Sequence, residues 1–166
     1  ESSELEYSSI DDGSFSGVET LILGNSTSQS RRLRDHRSRG HGWKPFGLEP
    51  HESGYSFHLD KKSLLRNVKK IEVKENSYNN VHRFEVTGLI KLERIVIGPN
   101  SICGEGETSA FIVEECPSLQ TVTIGDGSLR EYGIVVMREN ANLTRVELGA
   151  WSFNKAWSVE LRGRSE

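Results

Sequence analysis

The most regular feature of this chain is a repeated spacing of apolar residues. Two apolar residues are separated by one residue of any type. A third apolar residue stands three positions before this pair, and a serine followed by an apolar residue comes four positions after it. The spacing recurs in five segments: Leu5–Phe15, Val68–Tyr78, Leu92–Ile102, Leu119–Leu129 and Leu143–Phe153. Its one departure is Ser8, where the other segments have Ile or Val. Such self-similarity predicts a repeat protein.

The serines of these segments set the length of the repeat. They stand at positions 14, 77, 101, 128 and 152, so that the last three steps are 24, 27 and 24 residues, within the range of solenoid repeats. A serine at a fixed offset in Gly-, Asn- and Pro-rich turns favours a bond from its hydroxyl to the backbone at a corner. We therefore interpret the serines as structural rather than nucleophilic.

A second run of alternating apolar residues accompanies the repeated segments. It is present at Phe84–Val86, Phe111–Val113, Val135–Met137 and Val159–Leu161, and we assign Leu21–Leu23 to the same set. Alternation with period two predicts strands with every second residue inward. The sequence thus predicts a single domain over residues 1–166 that is mainly β, a solenoid with two short strand ladders and little helix.

Three features of the sequence resemble a known family. The spacing Leu-x-x-Ile-x-Ile-Gly-x-x-Ser-Phe, the intervening Phe-x-Val and the phrase Glu-Cys-Pro-Ser-Leu at 115–119 resemble leucine-rich repeats of the BspA-like kind, common in microbial surface proteins. The resemblance covers residues 5–23 and 56–161. It implies a right-handed solenoid of parallel strands that holds partners, without catalytic residues or a cofactor. It also suggests a secreted or cell-surface location, with a cytoplasmic one left open.

The parity of the strands predicts which side chains face outward. If Ile71 and Val73 point inward, the intervening positions of the first ladder form an outer face that we predict to bind a protein partner. That face comprises Lys70, Glu72, Arg94, Val96, Thr121, Thr123, Arg145 and Glu147. On the other ladder we expect Ile22, Glu85, Ile112, Val136 and Glu160 to face outward, and the sequence alone does not choose between the two faces.

Residues 24–55 interrupt the period and carry a strong local charge. Residues 31–45 hold six Lys or Arg against one Asp, a local charge of +5 in a chain whose net charge is −3. The basic residues are Arg31, Arg32, Arg34, Arg37, Arg39 and Lys44. This irregular insertion is either a solvated loop or a polyanion-binding segment for glycan or nucleic acid, whose contacts would be salt-sensitive.

The motif search favours binding over catalysis. The chain has no Gly-x-Ser-x-Gly elbow, no phosphate-binding Gly-x-x-x-x-Gly-Lys and no His-Glu-x-x-His, and its histidines lack ligand spacing. We expect Cys103 and Cys116 to be thiols, and Trp151 and Trp157 to cover an end of the core or contact further coils rather than bind sugar. The predicted function is a non-catalytic recognition or scaffold module; the alternative enzyme is a carbohydrate-active β-solenoid with convergent carboxylates.

Overall fold

The structure is a computed structural model that describes residues 4–5, 19–24, 48–51, 54–62, 65, 67–78, 81–104, 106 and 108–163. Within these residues the chain forms strands and turns, and no helix. The strands are β1 (Glu4–Leu5), β2 (Thr20–Leu23), β3 (Leu48–His51), β4 (Gly54–Asp60), β5 (Lys70–Val73), β6 (Val81–Thr87), β7 (Arg94–Ile97), β8 (Ala110–Glu114), β9 (Thr121–Ile124), β10 (Ile134–Arg138), β11 (Arg145–Leu148) and β12 (Ser158–Arg162).

The strands form two six-stranded sheets that the chain visits alternately. The first sheet has the order β1-β2-β5-β7-β9-β11, and the second has the order β12-β10-β8-β6-β4-β3. Every pairing is parallel except the antiparallel pair of β3 and β4. Each passage through both sheets completes one coil, and the coils stack. The predicted two-ladder β-solenoid is confirmed.

The core lies between the sheets and is built from in-register rows. Ile71, Ile95 and Val122 are consecutive partners in the first sheet, and each is essentially inaccessible to solvent. A parallel row holds Val73, Ile97 and Ile124. Burying one such side chain stabilises the fold by about 1.5–3 kcal/mol, and each row extends through all stacked coils. These rows confirm the inward positions that the sequence predicts.

Aromatic rings continue this packing on the second sheet. Phe57, Phe84 and Phe111 are register partners in β4, β6 and β8, with ring centroids 4.8 and 5.4 Å apart and ring planes nearly parallel. The row then changes to Val135, and Phe153 packs against Phe111 from the next corner at 5.6 Å. The stack therefore binds consecutive coils into one hydrophobic cluster.

Buried serines connect the coils at the corner that follows the first sheet. The Ser101 hydroxyl donates to the Lys74 carbonyl at 2.6 Å and accepts from the Ser77 backbone N–H at 3.2 Å. The Ser128 hydroxyl makes the equivalent bonds to the Gly98 carbonyl and the Ser101 N–H, at 2.7 and 3.0 Å. The predicted structural role is confirmed for these serines, while Ser14 lies outside the described residues.

The same corner turns sharply through left-handed backbone. The residues before and after each serine have positive φ, at 50° to 68°: Asn76, Tyr78, Asn100, Ile102, Gly127, Leu129, Trp151 and Phe153. Left-handed backbone costs most L-residues about 1–2 kcal/mol, and Ile102, a β-branched residue with φ of 53°, is an extreme case. Burial of its side chain and the serine bonds hold this conformation.

The opposite corner uses another buried row, Leu65, Leu89, Cys116 and Asn140. In each coil the next leading apolar residue donates its N–H back to this position, as Leu119 does to Cys116 at 3.0 Å. The Asn140 side chain accepts from the Cys116 N–H at 3.1 Å and donates to the Val113 carbonyl at 2.9 Å. An asparagine ladder is absent from the sequence, yet this one asparagine links two coils in the corner row.

The N-terminal coil differs from the sequence prediction. We expected Leu5 to lead the first unit and Leu21–Leu23 to belong to the second ladder. Instead, β2 lies in the first sheet beside β5, with Leu21 opposite Ile71, and Leu5 lies opposite Leu21. The better match in the sequence is Val18-x-x-Leu21-x-Leu23-Gly24, which has the spacing of Leu92-x-x-Ile95-x-Ile97-Gly98. We assigned the first unit to Leu5–Phe15 because that segment also matches the spacing of the repeat.

The interval predicted as an irregular insertion also ends earlier than expected. Its last part contains β3 and the start of β4, which pair antiparallel with Leu48 opposite Phe57. β3 was not predicted, because Leu48-Glu-Pro-His has no clear alternation of apolar and polar residues and contains a proline. This pair places an antiparallel strand at one edge of the second sheet.

Candidate recognition surface

The eight predicted partner-binding residues lie together on the outer face of the first sheet. One column contains Lys70, Arg94, Thr121 and Arg145, and the adjacent column contains Glu72, Val96, Thr123 and Glu147. All eight are exposed or half-exposed. Adjacent parallel strands are spaced by about 4.8 Å, so each column presents side chains at a regular interval. We call these eight residues the recognition face.

The ends of the recognition face carry ion pairs within single coils. Glu72 accepts from Lys70 at 2.6 Å and from Lys74 at 2.8 Å. Hydrogen bonding to Lys70 and then Lys74 lowers the pKa of Glu72 below its ordinary value. At the other end Arg145 pairs with Glu147, whose second oxygen accepts from the Thr123 hydroxyl at 3.3 Å. The charged residues at both ends of the face are therefore already in ion pairs.

The middle of the face differs from its ends in ion pairing. Within the described part of the chain, the exposed Arg94 guanidinium makes no hydrogen bond or ion pair. The half-exposed Val96 stands beside it on the same strand, and Thr121 and Thr123 follow on the next strand. An unpaired arginine next to an aliphatic side chain offers a charge-assisted hydrogen bond and a small apolar contact.

Thr20 and Ile22 extend the recognition face, and sequence reasoning placed Ile22 elsewhere. Thr20 is the partner of Lys70, and Ile22 is the partner of Glu72. Ile22 therefore lies on the first sheet, and its predicted place on the second sheet was wrong. His58 fills that position instead, opposite Glu85. The Gly24 match noted above is the signal that would have placed Ile22 correctly.

The outer face of the second sheet pairs most of its charges. Glu85, Ile112, Val136 and Glu160 form one outward column there, as predicted. Arg83 bonds Glu85 at 2.7 Å, Arg138 pairs with Glu114 at 2.8 Å and Arg162 pairs with Glu160 at 3.0 Å. His58 lies 3.3 Å from Asp60 and 3.8 Å from Glu85. Ile112 and Val136 form a half-buried aliphatic step between these pairs.

The remaining sequence predictions concern the basic segment and the two cysteines, and the structure describes only the cysteines. Arg31, Arg32, Arg34, Arg37, Arg39 and Lys44, the predicted polyanion-binding residues, lie outside the described residues. Cys103 and Cys116 are free thiols, and burial raises the pKa of Cys116 to about 11. The portion of the chain that the structure describes contains no group of three or more His, Cys, Asp or Glu able to hold a metal ion. It also contains no helix long and apolar enough to cross a membrane.

Comparisons with known proteins identified no relative of this chain. The chain matches no protein-family model, and it shows no significant similarity to a curated protein or to a solved structure. The class that the fold defines is a two-sheet β-solenoid of about four coils.

Proposed function

We propose that this solenoid is a non-catalytic recognition or scaffold module that binds a protein partner through the recognition face. The observation that carries the proposal is the exposed Arg94, which makes no hydrogen bond or ion pair within the described residues and lies beside Val96, between flanking residues that are already in ion pairs. A partner with a carboxylate next to an apolar side chain complements this centre. Arginine at the centre of a contact surface is a frequent source of binding energy.

The proposal predicts that charge reversal at the centre of the face abolishes binding. The probe is a phage-displayed random peptide library selected on the intact chain. Selected peptides should be enriched in Asp or Glu next to an apolar residue, and Arg94→Glu should weaken their binding at least tenfold, a loss of about 1.4 kcal/mol. The matched control is Arg130→Glu, which makes the same charge change at an exposed corner residue.

Two results would contradict the assignment of this face. One is peptide binding that tolerates Arg94→Glu as well as Arg130→Glu. The other is binding that is lost instead on substitution of the second sheet, for example through Val136→Lys. Circular dichroism of each variant checks that the fold is retained. We expect the fold to be retained because all three side chains are at least partly exposed.

The narrower resemblance to BspA-like leucine-rich repeats belongs to the same proposal. What supports it is the combination of the repeat spacing with a solenoid of parallel strands and a buried corner row that includes Cys116 and Asn140. A role in holding partners at a microbial surface follows from that resemblance.

The polyanion alternative is carried by the local charge of +5 over residues 31–45. Deletion of residues 30–45 should abolish salt-sensitive retention on heparin, because phosphate or sulfate contacts release counterions. Retention that survives the deletion would remove this alternative. The enzyme alternative predicts turnover on a glycan panel, and glycan binding without turnover would count against it.

A further inference from the structure

The cations around Arg94 outnumber the carboxylates that pair with them. Glu72 accepts from Lys70 at 2.6 Å and from Lys74 at 2.8 Å, so two ammonium groups share one carboxylate. Arg94 is the register partner of Lys70 on the next strand, and it forms no ion pair with any residue that the structure describes. Together these four residues hold three cations and one carboxylate, a formal charge of +2. We call them the cationic centre.

The other charges nearby form a separate group at the start of the same strands. Lys69 bonds Glu19 at 2.8 Å, and Glu93, just before the next strand, donates its backbone N–H to the Lys69 carbonyl at 2.8 Å. Hydrogen bonding to Glu19 raises the pKa of Lys69, and the charge of Glu93 adds to this effect. Glu93 thus lies near a cation of its own. It also stands one residue before Arg94, so its charge opposes the approach of an anion to that side chain.

A hydroxyl without an acceptor lies next to the cationic centre. Thr121 is the register partner of Arg94 on β9; it is half-exposed, and its side chain makes no hydrogen bond within the described residues. Thr123 on the same strand differs, because its hydroxyl donates to Glu147 at 3.3 Å. Neighbouring parallel strands are about 4.8 Å apart. One anionic group can therefore contact the Arg94 guanidinium and the Thr121 hydroxyl together.

The number of charges and donors favours a phosphate over a carboxylate at this place. A carboxylate has one negative charge, and its bidentate pair with arginine uses both oxygens in the plane of the guanidinium. A phosphate monoester carries a charge of about −1.5 to −2 at pH 7 and has three terminal oxygens. It therefore matches the formal charge of the cationic centre. Its third oxygen can accept from Thr121 while Arg94 holds the other two.

We propose that the partner segment bound by the recognition face carries a phosphorylated serine or threonine, whose phosphate contacts Arg94, Thr121 and Lys70. This inference rests on the proposed function and names the chemistry of the partner. An apolar residue beside the phosphorylated one packs on Val96, the next outward residue of β7 after Arg94. Phosphorylation of the partner then controls binding, because an unmodified hydroxyl brings no charge to the cationic centre.

The test compares three random peptide libraries that differ at one fixed residue, which is phosphoserine, aspartate or serine. The intact chain should retain the phosphoserine library about tenfold more tightly than the aspartate library, and the serine library least. Thr121→Val should weaken retention of the phosphoserine library several-fold and that of the aspartate library little. Thr108→Val is the matched control, because Thr108 is an exposed corner residue outside the recognition face.

The outcomes separate this inference from the function on which it rests. Equal retention of the phosphoserine and aspartate libraries, or equal effects of Thr121→Val and Thr108→Val, would overturn the phosphate proposal. If retention of the aspartate library still depended on Arg94, the proposed function would survive that result. Retention of neither library, or retention that tolerates Arg94→Glu as well as Arg130→Glu, would overturn both.

The pH dependence of binding identifies the phosphate directly. The second pKa of a phosphate monoester is about 6, so retention of the phosphoserine library should tighten between about pH 5 and pH 7.5 while that of the aspartate library stays constant. Glu72 remains ionised throughout, because hydrogen bonding to Lys70 and then Lys74 lowers its pKa. Glu93→Gln, which removes an opposing charge, should tighten retention further. A preference for phosphoserine that does not change with pH would contradict the proposal.

A lipid probe distinguishes the source of the phosphate. Vesicles of phosphatidic acid in phosphatidylcholine present the same phosphate monoester without a peptide around it. The chain should bind them more weakly than the phosphoserine library, because they offer no side chain to Val96. Tighter binding to the vesicles would place the phosphate on a lipid and overturn the proposal.

Discussion

The interior coils and the last coil share a sequence pattern but differ in burial. In β9 the inward residues Val122 and Ile124 are inaccessible, whereas their partners in β11, Val146 and Leu148, are half-exposed and exposed. The second sheet repeats the contrast between Val135 in β10 and Val159 in β12. The residue types are equivalent, and what differs is the presence of a following coil.

This contrast shows that the inward apolar residues of a coil are buried by the coils stacked on either side of it. A single coil here is two short strands and two corners, too small to enclose its own apolar residues. Interfaces between coils provide the core rows, the phenylalanine stack and the serine bonds. The stability of such a protein is approximately a sum of coil and interface contributions, so equivalent substitutions should have unequal effects along the stack.

The largest difference is expected between Ile124→Ala and Leu148→Ala. Truncating a fully buried Ile or Leu costs about 2–5 kcal/mol, and Ile124 lies between coils on both sides. Leu148 already faces solvent, so its truncation should cost about 1 kcal/mol or less. Urea unfolding at a concentration where the chain is monomeric measures both. Equal losses would contradict burial by neighbours.

The serine ladder should show a smaller contrast of the same kind. Ser101→Ala removes the hydroxyl that accepts from the buried Ser77 N–H and donates to the Lys74 carbonyl, which costs about 1–3 kcal/mol. Ser152 donates to the Gly125 carbonyl from a half-exposed position in the last coil, and water can replace that bond. Ser152→Ala should therefore cost less than Ser101→Ala in the same unfolding experiment. The reverse order would show that the ladder does not depend on the following coil.

Backbone strain provides a comparison within one corner. Gly88 and Glu115 occupy equivalent positions after β6 and β8, with φ of 69° and 53°. Gly88→Ala should cost about 1 kcal/mol, because its new Cβ meets Lys61 at an ordinary 3.4 Å and strain alone is added. Glu115→Gly should stabilise by up to about 1 kcal/mol, since it relieves that strain at an exposed site. Thermal unfolding midpoints that moved in the same direction for both variants would contradict this reading.

Substitutions on the outer face of the first sheet should have the smallest effect on the free energy of unfolding. The lowered pKa of Glu72 means that its ion pairs stabilise the fold above the unfolded pKa, near 4.5, and that this contribution is lost as the pH falls through the folded pKa. Glu72→Gln should reduce stability at neutral pH by about 1 kcal/mol or less and change nothing in strong acid. In a chain that carries Lys70→Met and Lys74→Met, Glu72→Gln should have almost no effect at either pH. A pH-independent loss would point to packing instead.

Much of the fold follows from the sequence because the repeat constrains every coil in the same way. The rows through Ile95 and Ile97, the serine corners and the eight residues of the recognition face are all set by period and parity. The N-terminal coil was harder to assign from the sequence. Leu5–Phe15 has the spacing of the repeat, but Thr20–Leu23 is the segment that pairs with β5 in the first sheet. β3 carries no alternation at all, and its pairing depends on tertiary contact with β4.

Properties of individual side chains were less predictable than their positions. Sequence parity places Arg94, Lys70 and Arg145 in one column. It does not reveal that Lys70 and Arg145 form ion pairs within their own coils, whereas Arg94 forms none with any residue that the structure describes. It also leaves undetermined how far the last coil is covered. Both depend on which neighbours are present at a given level of the stack, and one segment of sequence does not contain that information.

The most direct test of burial by neighbours is amide hydrogen exchange, resolved by residue, at a concentration where the chain is monomeric. Protection should be highest in β7 and β9, which have partners on both sides, and should fall markedly in β11 and β12. If amides of β11 and β12 exchanged as slowly as those of β7 and β9 in a verified monomer, the last coil would be stable without a coil stacked on its outer side. That result would contradict the claim that neighbouring coils supply the burial.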